Sequence, residues 1–172
     1  MWTTDELPGI ALSVRQPWAW AIIHCGKDIE NRSWQGVRHG LERRGRVAIH
    51  AAKGMTRKEY EEARAFIDGL GFFTPEPHAL HRGGIIGSVE VVGVVKQSDS
   101  PWFFGPRGLG LRDPRPSRFI PAKGALGYFR WCEADPSTVP QPARWMLPQR
   151  PKLIATIKAL LPEPDLFAGD RD

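Results

Sequence analysis

Residues 12–34 constrain the fold of this chain more than any other stretch of its sequence. Residues 10–14 have the composition of a short strand, and Pro17 then begins a helix, where the N–H that proline lacks is not needed. Gly26 ends that helix, because glycine readily adopts the left-handed backbone of a helix C-terminus. Residues 28–34 are extended. The pattern predicts a strand, a short helix and a second strand in close succession.

The second of these strands is rich in polar side chains. A site for a flat, polar molecule needs a stacking surface together with hydrogen-bond donors and acceptors. Alternatively, the same side chains pair with one another, Glu30 with Lys27 or Arg32, while Asn31 caps a turn. Two cations, a carboxylate, an amide, a hydroxyl and an indole fall within eight residues, namely Lys27, Glu30, Asn31, Arg32, Ser33 and Trp34.

The rest of the chain predicts further helices and strands. Residues 56–70 give the clearest helix, with a capping box between Thr56 and Glu59. Residues 46–52 alternate as a half-buried strand, and residues 84–96 give the strongest strand signal, where glycines indicate a bend or a close backbone approach. Shorter strands are predicted at residues 108–112, within an otherwise loop-like stretch of residues 97–118, and at residues 119–123 and 127–131.

These elements indicate an α+β fold. Several short strands beside two helices are typical of a small mixed β-barrel with helices at its side. The length of 172 residues suits one domain. We expect a leader over residues 1–9, the domain over residues 10–131, and a proline-rich C-terminal extension over residues 132–172. That extension ends in a short helix, at residues 153–161, and an acidic tail.

The net charge of +5 is carried largely by arginines in clusters. The planar guanidinium suits phosphate better than the lysine ammonium does. Such a surface binds nucleic acid by releasing counterions, whereas a merely basic surface would bind none. The residues expected to contact phosphate are Arg38, Arg43, Arg44 and Arg46.

Several classes of protein and site are disfavoured. No apolar run reaches the roughly 18 residues that cross a bilayer, and the first residues do not resemble a signal peptide, so we expect a cytoplasmic protein without membrane contact. Cys25 and Cys132 form no Cys-x-x-Cys pair, and two reduced, buried thiols are expected rather than a disulfide. His78 and His81 lack a further ligand nearby. We therefore expect no metal and no cofactor.

A set of motifs occurs along the chain, at residues 12–19, 26–27, 30–34, 44–51, 84–92, 100–102 and 120–127. Together they resemble the signature of the ASCH domain, a family named for its homology to the activating signal cointegrator. The resemblance spans about residues 10–131 and implies a PUA-like fold, a small mixed β-barrel with flanking helices. It implies a nucleic-acid or nucleoside ligand more firmly than it implies an activity.

One branch of this family hydrolyses N4-acetylcytidine with a lysine, a threonine three residues later and a distant glutamate. Lys27 matches the lysine, but Glu30 occupies the threonine position. A neighbouring carboxylate holds a lysine protonated where a basic amine is needed, which disfavours that mechanism. Lys27 and Glu30 are the catalytic candidates if the protein is an enzyme, either such an amidohydrolase or a metal-independent ribonuclease.

The leading expectation is recognition of single-stranded RNA or a modified nucleoside, with DNA as an open alternative. Of the two tryptophans near the helix start, Trp18 is expected nearer the ligand than Trp20. A third hypothesis is that a protein partner binds the C-terminal extension. The predicted cleft consists of Gln16, Trp18, Lys27, Glu30, Asn31, Arg32 and Ser33.

Overall fold

The computed structural model describes residues 7–32 and 42–149. They form an α+β fold, as the sequence predicts. Three short 3-10 turns, at Pro77–Ala79, Pro136–Thr138 and Arg144–Met146, connect or follow the larger elements. In chain order these elements are β1 (Ile10–Val14), α1 (Trp18–His24), β2 (Ile29–Asn31), β3 (Gly45–Ala51), α2 (Arg57–Gly69), β4 (Gly84–Val95), β5 (Gly108–Pro121) and β6 (Tyr128–Arg130).

The six strands form one mixed sheet in the order β2-β5-β4-β3-β1-β6. Strands β1 and β3 pair in parallel, while the other neighbours are antiparallel. In the described part of the chain, β2 and β6 lie at opposite edges and do not pair with each other, so the sheet is open. The predicted barrel is therefore only loosely matched. Both edge strands span just three residues, too few to close the sheet.

Strand β5 is longer than the sequence predicts. The short strand predicted at residues 108–112 is confirmed, but the loop predicted over the rest of residues 97–118 is wrong from residue 113 onward, because β5 continues to Pro121 beside β4. The strand tolerates its prolines because it pairs with β2 only over residues 108–110, and proline is acceptable where no neighbour needs its N–H. Three register shifts against β4 absorb the remaining irregularity.

Strand β3 is buried on both faces, which corrects the prediction of a half-buried strand. On one face Val47 and Ile49 pack with residues of β1 and α1. On the other face Ala48 packs in a second cluster that includes Ile85 and Ile120. The strand is central in the sheet and has a hydrophobic cluster on each side. The alternation of residue types along it therefore does not mean that one face is exposed to solvent.

Helix α2 begins as predicted, at a capping box in which the Thr56 hydroxyl accepts from the Glu59 backbone N–H. Tyr60 of this helix packs in a cluster with Met55 and Met146. The described part of the predicted C-terminal extension thus lies against α2. The predicted boundaries of the leader, the domain and the extension stay predictions, and residues 1–6, the 153–161 helix and the acidic tail lie outside the described residues.

Both cysteines are free thiols, as expected, but only Cys25 is buried, whereas Cys132 is exposed. Burial raises the pKa of the Cys25 thiol to about 11, so this thiol stays protonated near neutral pH. None of the helices in the described residues is long and apolar enough to span a bilayer.

Candidate ligand site

A buried ion pair lies just after α1. Gly26 adopts a φ of +64° and turns the chain out of the helix, and Lys27 then points inward, with only 2% of its side chain exposed. Its Nζ lies 3.0 Å from Glu30 Oε2 and also donates to the carbonyl of Ile29. The ammonium is 5.8 Å from the ring centroid of Trp18. Lys27 is therefore enclosed by partners and has little direct access to a ligand.

Glu30 and Arg32 extend this ion pair toward the surface, with 11% and 19% of their side chains exposed. Arg32 Nε lies 3.5 Å from Glu30 Oε1, and Arg32 Nη2 donates to the backbone carbonyl of Ser13. In the described part of the chain, Arg32 Nε and the hydroxyl of Tyr128 are buried polar atoms without a hydrogen-bond partner. Both groups are able to donate a hydrogen bond to a ligand. Buried donors are normally satisfied by a hydrogen bond.

Tyr128 connects this cluster to the basic surface. The guanidinium carbon of Arg43 lies 5.6 Å from the centroid of the Tyr128 ring. Burial raises the pKa of the Tyr128 phenol, while the positive charges of Arg32 and Arg43 act in the opposite direction. The three side chains are thus close enough to act on one another electrostatically.

Gln16 and Asn31, both predicted to contact ligand, form hydrogen bonds to the backbone of other segments. The Gln16 amide donates to the carbonyl of His81 over 2.8 Å and accepts from the backbone N–H of Trp20 over 3.0 Å. The Asn31 amide donates to the carbonyl of Trp102 over 2.7 Å and accepts from the N–H of Phe104 over 2.9 Å. These amides are occupied by the backbone, which explains their presence without a ligand.

Of the other predicted site residues, Trp18 is half-buried and packs against Phe66 and Phe104 at centroid distances of 6.0 and 6.1 Å. Ser33 and Arg38 lie outside the described residues. The structure thus brings Trp18, Lys27, Glu30 and Arg32 together. It places Gln16 elsewhere, at a cavity of about 440 Å³ shared with residues such as His81 and Phe119.

The predicted phosphate-contacting arginines differ in their surroundings. Arg46 donates to the carboxylate of Asp113, which Arg115 also contacts. Arg44 donates to the carbonyl of Val92 over 3.0 Å. A phosphate would have to displace Asp113 to gain the full charge of Arg46. The phosphate contacts themselves stay a prediction.

A second cavity, of about 500 Å³, was not predicted from the sequence. It lies at the C-terminal ends of the parallel strands β1 and β3, and we call it the Ser13–His50 cavity. Its volume is in the range of small-molecule sites. Leu126 stands at its rim with 94% of the residue exposed. The cavity is lined by Ser13, His50, Ala52, Lys53, Lys123 and residues 124–126.

His50 is fixed from several sides within this cavity. It is 1% exposed, its Nε2 lies 3.0 Å from the carbonyl oxygen of Ala122, and its Nδ1 lies 3.2 Å from Ser13 Oγ. The ring meets Phe129 edge-on at 5.5 Å. Gly124 covers the opposite side, where a Cβ would lie 3.0 Å from Nδ1 and overlap Cε1. Such contacts hold the imidazole in one orientation.

Burial is also the main cause that lowers the pKa of His50. The charge of Lys53 lowers it further, while the hydrogen bond to Ala122 acts in the opposite direction. The imidazole is consequently neutral near pH 7. The sequence signal for this residue was a histidine inside the apolar run of β3, opposite Ser13 in the parallel register. That register became visible only once β1 and β3 were paired.

Ser13 connects the Lys27–Glu30–Arg32 cluster with the Ser13–His50 cavity. Its backbone carbonyl accepts from Arg32, and its hydroxyl contacts His50 in the cavity. The predicted polar cluster therefore lies directly behind one wall of the cavity. No group of three or more potential metal ligands among His, Cys, Asp and Glu occurs in the part of the chain that the structure describes.

Comparison with known proteins agrees with the fold. No curated protein matches the chain closely enough to count as a relative. A model of the ASCH domain family matches residues 12–111, more than half of the 172 residues. ASCH domains have a PUA-like fold that is generally tied to RNA binding. The matched segment contains the Lys27–Glu30–Arg32 cluster as well as Ser13 and His50, and the chain belongs to the ASCH domain family.

Proposed function

We propose that this protein binds single-stranded RNA and holds one nucleoside in the Ser13–His50 cavity. The observation that carries the proposal is a cavity of about 500 Å³ with a preorganised hydroxyl–imidazole pair inside a largely apolar lining. A nucleoside needs this combination, because its base offers both an apolar face and a polar edge.

The RNA backbone would leave the cavity along Arg32, Tyr128 and Arg43. Arg32 donates to the backbone carbonyl of Ser13 behind one wall of the cavity, and Arg43 lies over the Tyr128 ring, so these side chains lie between that wall and the basic surface. Arg32 Nε, which is 3.5 Å from Glu30 Oε1, and the Tyr128 hydroxyl make no hydrogen bond within the described residues and supply donors along this route. Glu30 and Asn31 of the predicted cleft stay part of the proposal as the end of the strand that positions Arg32. A ligand contact of Ser33 stays a prediction.

The hydrolase alternative based on Lys27 and Glu30 gains no support from the geometry. Lys27 is 2% exposed and its ammonium contacts Glu30 at 3.0 Å. A substrate would have to displace Glu30 before it reached the amine. We therefore propose that Lys27 holds Glu30 in position and does not contact the ligand.

The proposal is tested by fluorescence anisotropy with labelled single-stranded RNA, without added metal, across a range of salt concentrations. We expect affinity to fall steeply with salt, since each phosphate contact contributes about −0.7 to the slope of log K against log salt for single strands. Arg43→Gln should reduce that slope by about 0.7.

Lys58→Gln is the matched control, because it removes one positive charge from the exposed Lys58–Glu62 pair on α2. It should leave the slope unchanged. Absence of RNA binding at low salt would overturn the proposed function. An equal effect of both substitutions would instead reduce the interaction to non-specific charge attraction and overturn the path through Arg43.

A further inference from the structure

We propose that the Ser13–His50 cavity selects nucleosides whose base carries an exocyclic amino group over those with an oxo group at the same position. This inference rests on the proposed function and specifies the substrate class of the same site. Its basis is the direction of two hydrogen bonds that run from Ser13 through His50 to the backbone of residue 122.

The first step fixes the tautomer of His50. Its Nε2 lies 3.0 Å from the carbonyl oxygen of Ala122, and a carbonyl oxygen can only accept. Nε2 must therefore carry a proton. In a neutral imidazole, Nδ1 is then unprotonated and can only accept. Burial favours this neutral form, since it lowers the pKa of His50.

The second step fixes the hydroxyl of Ser13. Ser13 Oγ lies 3.2 Å from His50 Nδ1, so its single proton points to the imidazole. Only the lone pairs of Oγ are then available to a ligand in the cavity. Ser13 thus acts toward a ligand as an acceptor, although a serine hydroxyl in general does either.

The third step concerns the ligand. Lys53 and Lys123, which also line the cavity, are donors only. A complementary ligand presents one donor to Ser13 and acceptors to the lysines. Adenine and cytosine have this arrangement, with an amino group next to ring-nitrogen acceptors. In hypoxanthine and uracil the order of these groups is reversed. A carbonyl oxygen replaces the amino group and would face the lone pairs of Ser13, while the neighbouring ring nitrogen carries a proton and would face the lysines.

The orientation of His50 is rigid enough to maintain this polarity. Phe129 meets the ring edge-on, and Gly124 lies so close that a Cβ there would overlap Cε1. Rotation of the ring would put a carbon against the carbonyl of Ala122, and a change of tautomer would put an unprotonated nitrogen there, so either change would lose the hydrogen bond from Nε2. Ser13 is consequently the specificity-determining residue, and His50 is the residue that sets its polarity.

The test is isothermal titration calorimetry of the full chain with adenosine, inosine, cytidine and uridine at one pH, 7.5, and one salt concentration. Within each pair, only the exocyclic group and the proton on the neighbouring ring nitrogen differ. We expect at least one amino nucleoside to bind about tenfold or more tightly than its oxo counterpart, the usual consequence of leaving one buried polar group unpaired. Equal affinities within both pairs would overturn the inference.

Ser13→Ala should bring the ratio within each pair close to one, and Ser137→Ala, at an exposed serine that does not line the cavity, should preserve it. Circular dichroism confirms that each variant is folded. If Ser13→Ala unfolds, Ser13→Cys takes its place, because a thiol is a weak acceptor and should also reduce the ratio. A ratio that survives in a folded Ser13 variant contradicts the inference.

The outcomes separate this inference from the proposed function. Nucleoside binding without discrimination removes the inference and leaves RNA binding intact. Failure of all four nucleosides to bind removes the inference too, and the anisotropy experiment then decides whether RNA binding stands.

Discussion

Lys27 is a charged side chain in a position that lysines rarely occupy. Only 2% of it is exposed, and its nearest ionic partner, Glu30, is 11% exposed. An ion pair removed from water contributes little net stability, but loss of one partner leaves the other charge buried and uncompensated. The pair is therefore asymmetric in its response to mutation.

We predict that Lys27→Met lowers the free energy of unfolding by about 3 kcal/mol, because Glu30 loses its closest partner while it stays largely buried. Lys27→Met combined with Glu30→Leu should recover most of that loss. Urea denaturation of the two variants and the wild type measures both values. A single variant as stable as the wild type would show that Arg32 alone compensates Glu30.

For individual residues, the sequence predicted the contacts between close neighbours along the chain. Lys27, Glu30 and Arg32 meet because they are close neighbours along one turn and one strand. The partners of Asn31 are more than 70 positions away, at Trp102 and Phe104. Ser13 and His50 are 37 positions apart. Their roles depend on contacts between distant segments, which residue type and spacing alone do not reveal.

The pairing of β4 with β5 depends on glycine. A Cβ on Gly87 would lie 2.5 Å from the carbonyl oxygen of Arg115 and 2.8 Å from Ile23 Cδ1. The close backbone approach predicted from the glycines of β4 is thereby confirmed. The length of β5 was missed because its prolines are typical of a loop, and only the absence of a neighbour on its outer edge makes them compatible with a strand.

We predict that Gly87→Ala destabilises the fold by about 1–3 kcal/mol, the usual effect of forcing extra volume into a packed region. Gly69→Ala is the matched control, since nothing lies within 4 Å of a Cβ at this helical position. It should be neutral or stabilising by up to about 1 kcal/mol. Thermal unfolding followed by circular dichroism measures both, and equal melting temperatures for the two variants would contradict the packing argument.

At the scale of the whole molecule, stability depends on histidines that fold in the neutral form. Burial lowers the pKa values of both His24 and His50. Between the ordinary value of 6.5 and these lowered values, the unfolded chain binds more protons than the folded chain. The stability from these groups is thus complete above about pH 6.5 and declines as the pH falls.

We predict that the free energy of unfolding decreases below pH 6.5, with a slope of at most about 1.4 kcal/mol per pH unit from the buried His50 and a smaller slope from His24, which is exposed to solvent. His50→Gln should make the decline shallower, because one of the two proton-linked groups is gone. Urea denaturation at pH 7.5, 6.5 and 5.5 gives the slopes. A wild-type stability that is constant over this range would refute the linkage.

The element order was enough to predict an α+β fold, because seven strand-like segments and two helices have few alternative arrangements. Closure of the sheet was not predictable in the same way. It depends on whether β2 and β6 are long enough to meet, and the sequence of a three-residue edge strand is too short to show it.

Gly124 gives the cavity an unusual dependence on a single hydrogen atom. A methyl group at this position would overlap Cε1 of His50, so the imidazole would have to leave the carbonyl of Ala122. Gly124→Ala would therefore change neither the charge nor the aromatic content of the protein, yet it would erase the polarity of Ser13. One added carbon would thus convert a protein that distinguishes bases into one that binds only through phosphate contacts.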